Sequence, residues 1–219
     1  FVGVILLGDC IDYGMRSNEN IQKLIKLEET NWKDRYMVNI WGNHEKLVID
    51  KDLDRLSSER GRAMARYTAR QLMTQSMDYI RTEMNQNGIQ EFKIGSLQCL
   101  AVHGSLEDYY WKSIEPGNLR GEYSSYDMVF SGHSHYSHCF TCFYPINYPE
   151  MRNKKAVTFI NPGSVGQPRN QNPCAQYAVL SLPSRRVDLR AVKYDVACEQ
   201  NLFPDEIDVF YKTRLTRGV

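Results

Sequence analysis

Val4-Ile5-Leu6-Leu7-Gly8-Asp9-Cys10-Ile11-Asp12 is an unbroken apolar run that stops at a glycine and a carboxylate. Because the run does not alternate, residues 2–7 read as a strand buried on both faces. The same grammar returns three times. Tyr36-Met37-Val38-Asn39-Ile40-Trp41 runs into Gly42-Asn43-His44-Glu45, Cys99-Leu100-Ala101-Val102 into His103-Gly104, and Met128-Val129-Phe130 into Ser131-Gly132-His133-Ser134-His135. Between the first two strands, Ile21, Leu24, Ile25 and Leu27 recur at helical spacing over 18–29, with Ser17 or Asn18 as N-cap. Strand, helix and strand in that order form a crossover with parallel strands. Open α/β sheets place ligands beyond the carboxyl ends of their strands, so the four turns are expected to converge.

The side chains in those turns are metal-binding types. Four of the 5 histidines lie there, with a carboxylate and a carboxamide. Imidazoles mixed with such oxygens suit Mn, Fe, Ni or Zn better than Ca or Mg. Taken singly, Gly8-Asp9 is compatible with an ordinary strand-ending turn and Gly42-Asn43 with a hairpin turn. One shared metal site accounts for all four turns together.

At 219 residues the chain suits one domain, 1–219, long enough to bury roughly 70% of its unfolded surface. A formal charge of +1 gives no reason to expect nucleic acid or a membrane as partner through bulk electrostatics. No apolar run approaches the roughly 20 residues of a membrane span. The 6 cysteines are scattered, which is a poor disulfide framework, and Cys139-Phe140-Thr141-Cys142 lacks a second ligand pair. Reduced thiols and a cytoplasmic location are expected. Residues 52–87 form a polar helical insert that Thr74 divides and Asn87-Gly88 ends. In it Arg60, Arg62, Arg66 and Arg70 form either a solvated face or a substrate entrance. Strands are expected at 89–94, 97–102, 128–130, 156–160, 176–182 and 187–193, an exposed loop at 143–155, and a helix at 205–212.

Gly8-Asp9-Cys10-Ile11-Asp12, Gly42-Asn43-His44-Glu45, His103-Gly104 and Gly132-His133-Ser134-His135 together resemble the calcineurin-like metallophosphoesterase superfamily. Asn161-Pro162-Gly163-Ser164-Val165-Gly166-Gln167-Pro168-Arg169 is similar to the small prokaryotic branch described as phosphodiesterase or diadenosine-tetraphosphatase-like. The resemblance implies an α/β fold, a four-layer αββα sandwich of two mixed β-sheets flanked by helices. It also implies two divalent metal ions, Mn2+ foremost, that activate a hydroxide against a phosphodiester or phosphomonoester. Asp9, Asn43, His103, His133 and His135 would be the metal ligands. His44 would be the catalytic acid or phosphoryl stabiliser, held by Asp12 or alternatively by Glu45. Arg169, Gly163 and Ser164 would face a small phosphoester or nucleotide substrate.

Two departures matter. The family's opening Asp-x-His is not found ahead of Asp9, so the sandwich is expected without its first strand. One metal site would then be complete, and the other would keep only Asp9 and His135, giving an impaired enzyme. Serine/threonine protein phosphatases, the enzymatic alternative, carry arginine after the second aspartate of the first motif, where this chain has Tyr13. A non-catalytic scaffold on the same fold is the alternative from another class, and retention of His44 argues against it.

Overall fold

A computed structural model describes residues 2–30, 36–146 and 154–219. Strand β1 (Gly3–Leu6) leads through helix α1 (Ser17–Thr30) to β2 (Tyr36–Asn39), which pairs with β1 in parallel. The chain continues through α2 (Asn43–Asp50), a short 3-10 turn at Leu53–Arg55, α3 (Glu59–Gln71) and α4 (Thr74–Thr82). Strands β3 (Ile89–Ile94), β4 (Leu97–Val102), β5 (Met128–Ser131), β6 (His138–Pro145) and β7 (Lys154–Asn161) build a mixed sheet in the order β3-β4-β5-β7-β6. Its central neighbours β4, β5 and β7 are parallel, and the two outer pairings are antiparallel. An antiparallel ladder of β8 (Ala175–Ser181) and β9 (Arg186–Val192) follows, then α5 (Val196–Gln200) and α6 (Val209–Arg214).

Period-two alternation assigns the two faces of the five-stranded sheet. Cys99, Ala101, Met128, Phe130 and Ile160 point to one side. There they pack with Val38 and Ile40 from the β1–β2 pair and with Ala178, Leu180 and Val187 from the β8–β9 ladder. Leu100, Val102, Val129, Val157 and Phe159 point to the other, beneath Leu106, Ile114, Leu119 and Tyr123 of an irregular segment. On that face Phe159 stacks on Phe140 at 4.9 Å and meets the edge of Tyr123 at 5.1 Å. Each such ring pair contributes about 1 kcal/mol beyond simple burial.

The helices gather around Trp41, whose Nε1 donates to Ile80 O at 2.7 Å, with Ile21, Val48, Leu72 and Tyr79 around it. Asn18 ties α1 to the α3–α4 corner, accepting from Met73 N and Ser76 Oγ, both at 2.9 Å. The corner expected at Thr74 is thus held by a side chain from α1, and Thr74 itself is the first residue of α4.

Two local expectations need correction. The stretch 143–155 is not one loop: β6 extends to Pro145 and β7 starts at Lys154, with 147–153 outside the described residues. Its aromatic and cysteine-rich character suits an edge strand, where Pro145 at the end breaks no interior ladder. Alternation along β6 leaves Cys139 exposed and turns Cys142 towards the sheet's packed face, so the CxxC pair cannot share one ion. A short helix, α2, begins at Asn43, where only a turn was expected.

Candidate metal centre

Gly8-Asp9 and Gly42-Asn43 interlock because neither glycine has a side chain. A Cβ on Gly8 would stand 2.2 Å from Gly42 N, and one on Gly42 would stand 2.0 Å from Asp9 Oδ1. Glu45 locks the contact. Its Oε2 accepts from Asp9 N at 2.8 Å and Gly42 N at 2.7 Å, and its Oε1 from Cys10 N at 2.7 Å and Ile11 N at 3.3 Å. Burial and the Asp9 charge push the Glu45 carboxyl up, while the backbone N–H bonds oppose that rise. The first aspartate turn is therefore held to the N-terminus of α2 by one buried carboxylate.

That assembly points Asp9 at three side chains from other turns. His103 Nε2 lies 3.3 Å from Asp9 Oδ2 and 3.0 Å from Asn43 Oδ1, and His133 Nδ1 is also 3.0 Å from Asn43 Oδ1. Ligand atoms of Asp9, His103 and His133 all fall within 4.8 Å of one another. His103 Nδ1 donates to Leu7 O at 2.6 Å, which fixes the ring and turns Nε2 into the cluster. Two imidazoles, a carboxylate and a carboxamide oxygen around one point suit a divalent cation of intermediate softness.

His135 stands apart from this group. Its Nδ1 donates to Gln167 O at 2.6 Å, leaving Nε2 without a protein partner among the described residues. His44 does not join the group through its ring either. Its backbone N–H donates to Asp9 Oδ1 at 3.0 Å, and its Nδ1 lies 2.7 Å from Asp12 Oδ2. Thr68 Oγ1 donates to the other Asp12 oxygen at 2.7 Å, and Asp12 N donates to Ser17 Oγ at 3.1 Å.

The field sorts the protonation states. Burial alone would raise Asp9, but His103 and His44 beside it hold its carboxyl well below the usual range. Burial alone would lower His44, but Asp9 and the Asp12 hydrogen bond lift it to about 9. His103 is likewise opposed by burial and lifted by Asp9. His133 falls to about 4 through burial and the His103 charge, and His135 to about 3 through burial and Arg169. The last two rings therefore keep a free lone pair at neutral pH.

Backbone strain marks the same turns. Asp9, Asp12, Tyr13, His133 and His135 all take left-handed φ between 55° and 71°. Such conformations cost about 1–3 kcal/mol each in residues other than glycine, and persist where the surroundings enforce them.

The 161–169 run is largely internal scaffolding. Asn161 Nδ2 donates to Gly132 O at 2.8 Å, and Gly163 N donates to Asn161 Oδ1 at 3.0 Å. Ser164 Oγ accepts from Gln167 N at 2.9 Å. Gly163 and Ser164, expected to face substrate, take part in these hydrogen bonds within the loop. The Arg169 guanidinium makes no ion pair or hydrogen bond among the described residues. Sequence reasoning missed Glu45 as a backbone clamp and Thr68 as a partner of Asp12. The first was legible, since Glu45 sits three residues after Gly42 at a helix start. Thr68 had no local signal.

The calcineurin-like phosphoesterase superfamily domain matches residues 2–185. The uncharacterised protein MJ0912 of Methanocaldococcus jannaschii is 21% identical over 206 residues, covering 88% of this chain and 76% of that protein. The hypothetical protein PH1004 of Pyrococcus horikoshii OT3 has a similar fold. Its TM-score is 0.75 at 19% identity, over 100% of this chain and 86% of that one. A metallophosphoesterase from Sphaerobacter thermophilus superposes with a TM-score of 0.64 at 25% identity, over 97% of this chain and 87% of that one. With the matched domain spanning all four strand-end turns, this chain belongs to the calcineurin-like phosphoesterase superfamily.

Proposed function

We propose that the protein is a metal-dependent phosphoesterase in which Asp9, Asn43, His103 and His133 hold one divalent cation. Asp9 and His135 contribute to a second cation in this reading. The single observation that carries it is the meeting of four donor side chains from four strand ends in one cluster. A cation held there supplies charge neutralisation at the phosphoryl oxygens and a lowered pKa for water.

The chain's own residues supply the rest. His44 stands beside the cluster without joining it, and Asp12 fixes its Nδ1, so Nε2 is the atom left to protonate a leaving oxygen. Tyr13 packs edge-on against the His44 ring at 4.3 Å and keeps water off that face. Arg169 brings a cation without an ion pair or hydrogen bond among the described residues. This oriented acid favours catalysis over scaffolding, because a scaffold has no use for a buried Asp-His pair aimed past a metal-type cluster. Small phosphodiesters and phosphomonoesters are the substrate class.

The test is hydrolysis of bis(p-nitrophenyl) phosphate and p-nitrophenyl phosphate by the purified protein with Mn2+, then after exhaustive EDTA treatment. Activity that depends on Mn2+ and vanishes on chelation is expected. Activity undiminished by chelation would overturn the reading.

A further inference from the structure

Strand β9 is an edge that the fold leaves open. It pairs with β8 in unbroken register, from Arg186 opposite Ser181 to Val192 opposite Ala175, and no other strand among the described residues joins it. Its sequence, Arg186-Val187-Asp188-Leu189-Arg190-Ala191-Val192, has neither a proline nor a bulge to close that edge. The unpaired N–H and C=O groups along it are a template for one more strand.

Alternation divides the side chains between two faces. Val187 packs inward on the core, so Leu189 and Ala191 share its face, while Arg186, Asp188, Arg190 and Val192 lie on the other. Leu189 is nevertheless 40% exposed. Strand β6, the last of the five-stranded sheet, packs against β9. Phe140 and Cys142 face the far side of that sheet, which turns Phe143 towards the β8–β9 layer, yet Phe143 is 63% exposed. Two open strand edges thus lie one over the other, with Leu189 and Phe143 uncovered at their shared margin.

The charges on β9 select what can cover it. A second β9 laid antiparallel alongside is related by a two-fold axis perpendicular to the sheet, which sets residues of the same face opposite each other. Centred on Leu189, the middle of Arg186–Val192, the axis pairs all 7 residues. Asp188 of each copy then stands opposite Arg190 of the other, and Leu189 meets Leu189. Moving the axis one residue back sets Asp188 against Asp188 and Arg186 against Arg190. Moving it one residue forward sets Arg190 against Arg190. Like charges directly opposite are destabilising, so the longest ladder is also the register with matched charges. Within one chain Asp188 already lies 3.0 Å from Arg186 and 3.8 Å from Arg190. Such charges turn away arbitrary strands, and here they complement their own copy.

We propose that the β9 edge is a homodimer interface, where a second copy of this chain adds antiparallel about Leu189 and joins the two β8–β9 ladders into one continuous sheet. The same rotation brings the second copy's β6 margin alongside, so Leu189 and Phe143 gain a common cover.

The test is sedimentation velocity of the full chain from about 1 to 100 µM, a range over which mass action reveals self-association. A concentration-dependent dimer is expected. Asp188→Arg and Arg190→Asp should each weaken it at least about tenfold, because like charges then face each other at both pairs. Combining the two substitutions in one chain should restore the affinity to within about threefold of the parent, and mixing the two single variants should give a mixed dimer, since opposite charges meet again in both cases. Far-ultraviolet circular dichroism checks that each variant keeps the parent fold, and should one single variant fail to fold, the other and the combined substitution decide. A parent that stays monomeric throughout, whatever else its edge binds, would overturn the interface. So would a dimer that survives either single substitution, or one that neither the combined substitution nor the mixture restores.

Discussion

His44 Nδ1 and Asp12 Oδ2 stand 2.7 Å apart inside the protein, although the two residues come from different strand-end turns. The remaining Asp12 oxygen accepts from Thr68 on α3, so the carboxylate is fixed from two sides before it meets the imidazole. The pair therefore sets which His44 nitrogen faces outward and at what angle. It also ties the helical insert to the centre, because Thr68 belongs to α3.

Asp12→Asn should lower kcat by about 10–100-fold, the usual effect of removing a group that orients a catalytic histidine. His44→Ala should lower it by at least about 100-fold, since the general acid itself is gone. Bound metal, measured by elemental analysis, should hardly change in either variant. Loss of metal from His44→Ala would reassign His44 as a ligand.

The metal-free protein should lose stability as pH rises from 7 through 9. His44 is lifted from an ordinary 6.5 to about 9, and His103 is lifted as well, both by neighbouring carboxylates. A base whose pKa is higher in the folded state stabilises fully below its unfolded pKa, and that contribution fades as pH passes the folded one. Urea midpoints measured in EDTA between pH 6 and 9.5 report this. A flat profile across that window would contradict it, and Asp12→Asn should blunt the slope.

Glu45→Gln should destabilise the chain by about 3 kcal/mol. The carboxylate serves four backbone N–H groups, whereas a carboxamide offers one oxygen and sets its NH2 against the others. Each buried donor left without an acceptor costs about 1–3 kcal/mol. Urea unfolding is the measurement, and a midpoint equal to wild type would show that water replaces the lost acceptor.

What was legible in the sequence follows from locality. The apolar run at 97–102 and the glycine after each such run are short-range signals, and β4 and the four turns lie where they indicate. The candidate donors Asp9, Asn43, His103 and His133 were nameable because each lies within four residues of a strand's end. Strand β6 was not, since Pro145 and the nearby polar residues mimic a loop while pairing with β7 supplies the order. The Asp12–Thr68 bond joins residues 56 apart in the sequence, and nothing local signals such a partner. Tyr211, which stacks on Tyr13 at 5.3 Å, lay hidden for the same reason. A short amphipathic helix shows its apolar face, but not which distant loop it covers.

Gly42→Ala separates the metal centre from the fold that carries it. Gly42 has φ −97° and ψ −178°, which alanine adopts freely, so the substitution introduces no backbone strain. The added methyl has nowhere to go, because its Cβ would lie 2.0 Å from Asp9 Oδ1 and 2.5 Å from Asp9 N. Rotation of the Asp9 carboxylate relieves only the first contact, so the Gly8-Asp9 turn must also shift away from Gly42, while the strands behind both turns stay held by β1–β2 pairing and buried contacts. Rotation and shift together carry Asp9 away from His103 and Asn43 and open the cluster. Mn2+ affinity measured calorimetrically should fall at least tenfold, while the far-ultraviolet circular dichroism spectrum stays that of the parent. Gly117→Ala, where nothing lies within 4 Å of the new carbon, serves as the control and should bind Mn2+ normally. Unchanged Mn2+ affinity in Gly42→Ala would mean that Asp9 is not a ligand, and the four-donor cluster would have to be redrawn without it.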